Sequence, residues 1–475
     1  MSDPLRALAA IAPGAWLVGG AVRDELLGRP RGLGSGAIAD YDVVLDPAGG
    51  NDLAAAARAL ARAAGGHPFL LSDAFGAWRV VDRDRAWQVD LMPMGGETIG
   101  EDLARRDLTI NAIARAVSGE QITDPTGGLH DLARRQLRAV SPSAFTEDPL
   151  RVLRLARLSA QLDFSAEPET VAWARAGAGG LERVAPERVF AELRALISCD
   201  RATAGLELMD ALGATAIVLP ELCALQGVEQ SRFHHLDVSG HTRAVLAELI
   251  SLQRDPQAVF GEDGAALRAL LDEPLADELT RGQALRFGAL LHDIAKPQTR
   301  AVTAQGRVTF MDHDVAGAQL SRSILQRLRA SERLADFVAA ITRHHLRLGF
   351  LVHDMPLDRR AVYRYLDRCA PVAVEVTVLS VADRLATRGD NAERAIAGHL
   401  ELARQLTGAG LAWRADPPRP PVRGDVLARA LGLAPGPLIG ELLHELEEAG
   451  YAGEVSGPEE AIAYARARVG EGTGG

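Results

Sequence analysis

The chain has 475 residues, 47% of them hydrophobic, enough for about three domains with their own cores. Its net charge of −11 argues against a protein that coats nucleic acid nonspecifically, but leaves room for a local basic groove. No apolar run is long enough to span a membrane, the N-terminus lacks a signal-peptide pattern, and the 3 cysteines are scattered. We therefore expect a cytoplasmic protein without a membrane partner. No feature indicates an oligomeric state.

The first informative stretch is residues 17–46, which begins as a buried strand and turns at Gly19 and Gly20. Two glycines let the backbone approach a ligand closely. A helix over 21–27 is expected to follow. Its first N–H groups, together with Arg23, would suit a polyphosphate.

A second strand is predicted to carry Asp40 and Asp42 on one face, because side chains two apart on a strand point the same way. Two carboxylates beside an anion-binding turn can hold Mg²⁺ against a nucleoside triphosphate. Asp90 is expected on a later strand, between Val89 and Leu91. It could complete a triad of carboxylates, or it could equally be a polar side chain that faces water.

Arg105 and Arg106 are expected at the start of the next helix, where they could grip a triphosphate while Asp107 orients one of them. The alternative is an ion-paired surface turn. The sequence therefore offers a second group of phosphate-binding candidates, about 80 residues after the glycine turn.

A helix is predicted over 147–158, with Asp148 as its cap. Arg151, Arg154 and Arg157 recur every three residues, and nearly every other position is apolar. A helix this apolar is mostly buried, so the three arginines are expected to line a groove. The alternative, pairing with acidic residues one turn away, explains one arginine and not three.

Asp148 and Arg151 suggest a way of selecting bases. Cytosine and adenine each present an amino donor beside a ring-nitrogen acceptor, which a carboxylate and a guanidinium match. Uracil and guanine present a carbonyl and an N–H instead, and would leave buried polar groups unpaired at a cost of about 1–3 kcal/mol each. This pair could therefore select CTP and ATP.

Together the motifs LVGGAVRD, DYD, RRDLTINA, DPTGG and EDPLRVLRLARL resemble bacterial (class II) CCA-adding tRNA nucleotidyltransferases and their poly(A) polymerase relatives. The resemblance implies an α+β fold class: a polymerase-β-like nucleotidyltransferase head, with a mixed sheet and helices, followed by all-α regions. The expected divisions are a head (1–140), a neck and RNA-binding body (141–229), an HD phosphohydrolase-like domain (230–408) and a helical tail (409–475). The positions that match are Gly19, Gly20, Arg23, Asp40, Asp42, Arg106, Asp107, Asn111, Glu147, Asp148, Arg151, Arg154 and Arg157.

The resemblance also implies roles. The counterparts of Asp40 and Asp42 hold two Mg²⁺ ions, with Asp90 as a further catalytic candidate that has no strong flanking motif. One ion lowers the pKa of the RNA 3′-hydroxyl and the other neutralises the pyrophosphate leaving group. The remaining matched residues, apart from Glu147, bind the nucleotide. The implied partners are tRNA, CTP and ATP.

A second constellation of histidines and aspartates resembles the HD phosphohydrolases. Imidazole with carboxylate suits a transition metal such as Ni²⁺ or Mn²⁺ better than Mg²⁺. Neighbouring helical residues project about 100° apart, so His344 and His345 could serve different metals, or one could face elsewhere. Lys296, the only lysine, is a candidate general acid or a simple phosphate-binding or solvated lysine. The expected ligands, enough for two metals, are His241, His292, Asp293, His313, His344, His345 and Asp383.

The leading hypothesis is an enzyme that adds CMP and AMP to the 3′ end of tRNA, with a possible phosphatase or cyclic phosphodiesterase activity in the HD domain. A poly(A) polymerase, or an enzyme that adds only CC or only A, is the alternative within the same chemical class. An HD phosphohydrolase whose head merely binds RNA is the alternative from a different class.

Overall fold

The protein divides into two compact units, residues 1–218 and 219–475, and each is described by itself. The first unit combines a mixed sheet with helices and the second is mostly helical, so the expected α+β class is confirmed. None of the described helices is both long enough and apolar enough to cross a membrane. The computed structural model describes residues 3–29, 39–46, 52–72, 76–230, 236–387 and 392–472.

A mixed sheet of seven strands organises the first unit. Its strands are β1 (Trp16–Val18), β2 (Ala39–Leu45), β3 (Gly66–Ser72), β4 (Ala77–Asp82), β5 (Trp87–Pro93), β6 (Ala114–Ala116) and β7 (Ile122–Thr123). The order across it is β3-β4-β5-β2-β1-β6-β7; β2 and β5 run parallel and the other neighbours are antiparallel. The central strand β2, which carries the two aspartates, thus lies beside β1 and its glycine turn.

Local side-chain chemistry explains where one long helix of the first unit begins and ends. The side chain of Asp52 accepts the N–H of Ala54 at the start of α3 (Leu53–Ala64), and Gly65 ends that helix with φ of +90°. A short parallel pair, β8 (Gln136–Leu137) and β9 (Ser165–Ala166), lies outside the large sheet. The helices are α1 (Pro4–Ile11), α2 (Gly20–Leu26), α3 (Leu53–Ala64), α4 (Ile99–Leu103), α5 (Gly128–Arg134), α6 (Ala144–Glu147), α7 (Arg151–Leu162), α8 (Pro168–Gly177), α9 (Pro186–Ile197), α10 (Ala202–Ala211) and α11 (Thr215–Val218).

Two predicted helix boundaries are wrong. The helix expected after Arg106 is only a 3-10 turn, Thr109–Asn111, because the Asp107 carboxylate takes the Leu108 N–H at 2.8 Å and competes with helical bonding. With Asp148 as its cap, the predicted helix would begin at residue 149, but α7 begins at Arg151. Asp148 is extended, with φ of −137° and ψ of 97°, because the proline that follows it disfavours the helical region.

Helix α7 nevertheless has the predicted amphipathic character. Val152, Leu153, Leu155 and Ala156 are buried, and the helix packs against α9 and α10. The apolar face therefore fixes α7 within the unit, while its arginines remain available to a cavity.

The second unit is a helical assembly with two small antiparallel strand pairs, β10 (Pro274–Ala276) with β11 (Leu279–Thr280) and β12 (Arg300–Val302) with β13 (Val308–Phe310). Helices α24 to α26 pack around their own apolar core, which includes Leu427, Leu442 and Leu446. The helices are α12 (Pro220–Cys223), α13 (Val238–Arg254), α14 (Pro256–Phe260), α15 (Gly264–Leu271), α16 (Arg281–Leu291), α17 (Lys296–Thr299), α18 (His313–Arg327), α19 (Glu332–His344), α20 (Arg347–Leu351), α21 (Arg359–Arg368), α22 (Ala373–Ala386), α23 (Ala392–Ala415), α24 (Gly424–Leu431), α25 (Pro437–Ala452) and α26 (Pro458–Gly472).

Candidate functional site

A polar cavity of about 620 Å³ lies in the first unit between the glycine turn, strand β2 and helix α7. It brings together most of the residues that the sequence singled out, from segments more than 100 positions apart. The predicted residues that line it are Gly19, Gly20, Arg23, Asp40, Asp42, Arg105, Arg106, Asp107, Asn111, Arg151, Arg154 and Arg157.

Asp40 and Asp42 stand two apart on β2, and both line the cavity, as the strand periodicity predicts. Burial raises the pKa of Asp42 to about 6, and the neighbouring Asp40 carboxylate adds to the rise. Burial also raises the pKa of Asp40. The raised pKa values mean that the negative charges of Asp40 and Asp42 are destabilised where they stand. A hard divalent cation would stabilise both charges, and two carboxylates are ligands that such a cation prefers.

Gly19 is needed where it stands. Its φ of +73° disfavours any other residue, and a Cβ there would lie 3.3 Å from Nη1 of Arg106 and 3.4 Å from Oδ2 of Asp42. The absence of a side chain at Gly19 therefore keeps open the space between the Arg106 guanidinium and the Asp42 carboxylate. A phosphate on the arginine and a metal on the carboxylate would meet in this space.

Asp90 lies on β5 directly opposite Asp42 in the parallel register. Both of its oxygens accept hydrogen bonds from Arg79, at 2.6 and 2.7 Å, and it is buried. The described lining of the cavity includes Asp40 and Asp42 but not Asp90. The structure thus gives Asp90 a structural partner, and its role as a third catalytic carboxylate stays a prediction.

The residue that orients Arg106 is Asp102, which the sequence interpretation missed. Asp102 accepts hydrogen bonds from Nε and Nη2 of Arg106, at 3.1 and 3.0 Å. The expectation that Asp107 does this is wrong. Asp107 instead accepts hydrogen bonds from Asn111 and Arg154, and although burial opposes ionisation, Arg154 holds the pKa of Asp107 below its usual value. The i,i+4 spacing of Asp102 and Arg106 was the available signal.

The three arginines of α7 line the cavity, which confirms the groove interpretation. Glu192 on α9 holds two of them: it lies 2.6 Å from Arg157 and 3.4 Å from Arg154. Arg151 instead donates to the backbone oxygens of Ala144 and Arg105, at 3.1 and 2.8 Å. Glu192 had no sequence signal, because its partners lie 35 and 38 residues earlier on another helix.

Asp148 lies in a different cavity from Arg151. This cavity, of about 720 Å³, is lined by Asp148 together with Glu147, Arg183 and Arg188. Oδ2 of Asp148 accepts a 2.9 Å hydrogen bond from Arg188, and Oδ1 accepts the N–H of Leu150 at 3.2 Å. The structure does not bring Asp148 and Arg151 into one pocket, so their joint role in base pairing stays a prediction.

The second unit gathers six of the seven expected HD ligands into two groups of three. His241 (α13), His292 (end of α16) and Asp383 (α22) form one group, with ligand atoms within 4.8 Å of one another. Asp293, His313 (α18) and His345 (end of α19) form the other. The ordered constellation read from the sequence is therefore a spatial cluster.

Three of these histidines are arranged as metal ligands are. Nδ1 of His292, His313 and His345 lies 2.7 to 2.8 Å from a backbone carbonyl oxygen. An Nδ1–H that donates to a carbonyl leaves Nε2 with a free lone pair, which is the tautomer that binds metals. Nε2 of His292 is buried and makes no hydrogen bond among the described residues, although Oδ2 of Asp293 lies 3.1 Å away. A nitrogen and a carboxylate oxygen that lie this close without a hydrogen bond between them fit a cation that both would bind.

Asp293 lies between the two groups. Its Oδ2 is 3.1 Å from Nε2 of His292, and its Oδ1 is 3.3 Å from Nε2 of His313. Burial opposes ionisation, but His292 and Lys296 hold the pKa of Asp293 well below its usual range. A carboxylate that faces one group with each oxygen can bridge two divalent ions, as the ligand count predicted.

His344 is not a member of either group, so its assignment as a ligand is wrong. It accepts a 3.3 Å hydrogen bond at Nδ1 from Arg347. Burial, with Arg347 and Arg343 nearby, lowers the pKa of His344 to about 4. The helical step between adjacent residues turns His345 into the cluster and His344 towards arginines.

Lys296 is buried beside the cluster. Its Nζ lies 2.7 Å from Oδ2 of Asp293 and donates to Gln230 at 2.6 Å. Its position is compatible with the predicted general acid, and that role stays a prediction.

A cavity of about 540 Å³ opens beside the metal-ligand groups. Its walls include residues that the sequence interpretation missed or treated as structural, namely Phe350, Ser380, Arg384 and His399. His399 lies 3.1 Å from the hydroxyl of Ser380, and burial lowers its pKa to about 4, so the imidazole is neutral near pH 7. These positions carry no motif, and only the packing of α20, α22 and α23 brings them together.

Comparison with protein families gives three matches along the chain. The poly(A) polymerase head domain matches residues 76–138, a probable RNA- and SrmB-binding site of polymerase A matches residues 163–225, and the HD domain matches residues 240–388. The three matches follow the order that the motifs predict.

Several curated proteins are similar over most of the chain. An A-adding tRNA nucleotidyltransferase of Deinococcus radiodurans is 38% identical over 95% of both chains. A CC-adding tRNA nucleotidyltransferase of Thermus thermophilus is 33% identical over 95% of this chain and 92% of its own. A multifunctional CCA protein of Nitrosococcus oceani is 35% identical over 70% of this chain and 74% of its own.

Solved structures agree with the fold. A CCA-adding enzyme in its apo form has a TM-score of 0.63 at 20% identity, covering 98% of this chain and 95% of its own. The Thermotoga maritima CCA-adding enzyme complexed with tRNA has a TM-score of 0.61 at 19% identity, covering 98% and 94%. Since the sequence relatives exceed 30% identity along nearly the whole chain, this protein belongs to the bacterial family of CCA-adding tRNA nucleotidyltransferases and carries an HD domain.

Proposed function

We propose that the first unit transfers CMP and AMP from CTP and ATP to the 3′ end of tRNA without a nucleic-acid template. The observation that carries this proposal is the cavity in which Asp40 and Asp42 face Arg23, Arg106 and the arginines of α7. Carboxylates for a metal and guanidiniums for a polyphosphate are the groups that nucleotidyl transfer requires. The expected divisions at residues 140, 229 and 408, and a cytoplasmic location, belong to the same proposal.

The residues divide the chemistry among themselves. Asp40 and Asp42 would hold Mg²⁺, which when bound supplies the charge that activates the 3′-hydroxyl and neutralises pyrophosphate. Arg23 and Arg106 bind and orient the phosphates, and Asp102 fixes the direction of the Arg106 fork. The phosphate-binding side chains are thus held in place by protein partners before a substrate arrives.

The base is recognised at the neck. We propose that Asp148 accepts a hydrogen bond from the amino group of cytosine or adenine and that Arg151 donates to the adjacent ring nitrogen. Arg188 lies 2.9 Å from Asp148, so the carboxylate must exchange or share that partner when a base arrives. Discrimination against UTP and GTP then follows from buried polar groups left unpaired.

A second candidate is an enzyme that performs only part of CCA synthesis. The relatives that match 95% of this chain are named for A addition and for CC addition, whereas the multifunctional CCA protein matches 70%. The distinction concerns which nucleotides are accepted on which RNA end, and the catalytic pair is common to both functions.

One experiment separates these functions. Purified protein is incubated with Mg²⁺ and tRNA transcripts that end before the CCA, after one C, or after CC, with labelled CTP or ATP. Complete synthesis incorporates C, C and then A and stops; a partial enzyme uses only the CC-ended RNA with ATP, or only the shorter RNAs with CTP. An open-ended A ladder would indicate a poly(A) polymerase. If no nucleotide is incorporated, or if Asp42→Asn incorporates nucleotides as the parent does, the proposal is rejected.

For the second unit we propose metal-dependent hydrolysis of a phosphate ester at the HD cluster. Asp293, whose oxygens lie close to His292 and His313, and the Nε2 atoms gathered in the cluster would hold Ni²⁺ or Mn²⁺, and Lys296 is the candidate that protonates the leaving oxygen. The test adds either metal with a cyclic or a terminal phosphate ester and measures release of product. His292→Ala is the control, and hydrolysis that survives this change would exclude the cluster.

A further inference from the structure

The cavity beside the HD cluster is lined by both charged and apolar side chains. Asp293, Lys296 and Arg384 are among the charged ones, and Leu346, Phe350 and Val352 are among the apolar ones. Its volume of about 540 Å³ falls within the roughly 300–1,000 Å³ of small-molecule sites in proteins. A ligand that matches this lining carries both an anionic group and an apolar body.

Arg384 lines the cavity and has an unused hydrogen-bond donor. It follows Asp383 on α22, and its Nε is buried without a hydrogen-bond partner in the described part of the chain. Lys296 in contrast is held by Asp293 and Gln230. A buried Nε–H left unpaired is costly, and a planar guanidinium fork matches the oxygens of a phosphate. Of these two cations, Arg384 is therefore the one that gains more from an arriving phosphate.

Phe350 supplies an aromatic surface to the same cavity. It lies on α20, lines the cavity, and is 69% exposed, although large apolar residues are usually buried. An exposed ring in a cavity that also holds a phosphate-binding group suits a nucleobase, because bases stack on aromatic side chains without a need for sequence-specific hydrogen bonds.

We propose that this cavity binds a nucleoside monophosphate unit, with the phosphate on Arg384 and the base on Phe350. The inference rests on the proposed HD function, since it names the residues that would select a nucleotide for that metal site. The same unit occurs in a free nucleotide and at the phosphorylated 3′ end of an RNA. Both sources have the same recognition chemistry.

Calorimetric titration of the Ni²⁺-loaded protein tests the assignment with two probes, inorganic phosphate and adenosine 3′-monophosphate. Arg384→Ala is expected to weaken both by about tenfold or more, because a charged hydrogen bond is lost. Phe350→Ala is expected to weaken the nucleotide by about fivefold or more and to leave phosphate unchanged. Any binding at the first unit is common to all variants and cancels in the comparison.

Two matched controls lie in the same unit outside the cavity lining. Met311 is 73% exposed and Arg394 is also exposed, so Met311→Ala and Arg394→Ala should bind both probes as the parent does. Arg384→Lys should recover less than the full affinity for phosphate, because a lysine lacks the fork. Nickel content, measured for each variant, establishes that the metal site is intact.

The outcomes separate this inference from the hydrolytic function. If Phe350→Ala leaves nucleotide binding unchanged, or Arg384→Ala leaves phosphate binding unchanged, the assignment is overturned. If binding responds as expected while no ester is hydrolysed, the assignment stands and the hydrolytic proposal fails. A short RNA with a 3′-phosphate that competes better than the free nucleotide identifies an RNA end as the ligand; the reverse order identifies the free nucleotide.

Discussion

Nη1 of Arg23 donates a 2.8 Å hydrogen bond to the side-chain oxygen of Asn111, 88 residues further along the chain. The amide of Asn111 in turn donates to Asp107 at 3.1 Å, and Asp107 lies 3.4 Å from Arg154 on the neck helix. All these side chains line one cavity. Helix α2 is therefore connected to α7 by a continuous series of polar contacts, in which Asn111 joins Arg23 to Asp107.

Replacing Asn111 with alanine should weaken nucleotide transfer. The change leaves Arg23 and Asp107 each without one buried partner, which costs about 1–3 kcal/mol, so kcat/KM for the nucleotide should fall by about ten- to a hundredfold. Steady-state incorporation of labelled nucleotide measures this. Gln121→Ala, at an exposed amide of the same unit, is the control. If the Asn111→Ala enzyme keeps the parental kcat/KM, the contacts of Asn111 with Arg23 and Asp107 do not contribute to nucleotide transfer.

Glu192 should be needed to hold Arg154 and Arg157 of α7 towards the cavity. Glu192→Gln removes the charge that lies 2.6 Å from Arg157 and 3.4 Å from Arg154. Both guanidiniums then lose an orienting partner, and KM for the nucleotide should rise about tenfold, with a smaller change in kcat. Glu187→Gln, at an exposed position of the same helix, should leave KM unchanged. Equal KM values for the two variants would contradict the positioning role.

The pKa of Asp42 predicts a pH dependence of stability. Its folded value of about 6 exceeds the ordinary 3.8, so the folded state binds this proton more tightly than the unfolded state does. The metal-free protein should therefore lose stability as pH rises from about 4 to 6, and Asp42→Asn should abolish roughly 1–3 kcal/mol of that loss.

Denaturant unfolding at pH 4 and pH 7.5, in a chelator, checks this. The variant should be the more stable protein at pH 7.5, and the difference should shrink towards pH 4. Adding Mg²⁺ should stabilise the parent and not Asp42→Asn, which should also have lost transfer activity. A variant that is less stable than the parent at pH 7.5 would contradict the burial-driven rise in the pKa.

His344 and His345 form a matched pair for the HD cluster. His345→Ala removes a buried ligand candidate whose Nε2 lies 3.3 Å from that of His313, and should lower the Ni²⁺ or Mn²⁺ content of the purified protein. His344→Ala removes an imidazole that contacts Arg347, so metal content should not change. Inductively coupled plasma analysis of both variants decides the matter. Loss of metal in both, or in neither, would be the contrary result.

Local sequence determined the elements that hold the candidate residues. The period of two placed Asp40 and Asp42 on one face of a strand, and two glycines marked the turn before α2, because backbone geometry depends on neighbours only a few positions away. The ordered histidines and aspartates likewise indicated a metal cluster. The proline that follows Asp148 explains why Asp148 lies outside α7.

Only the tertiary structure decided which side chains pair. The pairing of Asp90 with Arg79, 11 residues apart, depends on the register of two strands. The pairing of Glu192 with Arg157, 35 residues apart, depends on the packing of two helices. The difference between His344 and His345 depends on how α19 is rotated against its neighbours. Sequence periodicity specifies a face of an element, but the partner that meets this face is set by long-range packing, which spacing along one chain does not encode.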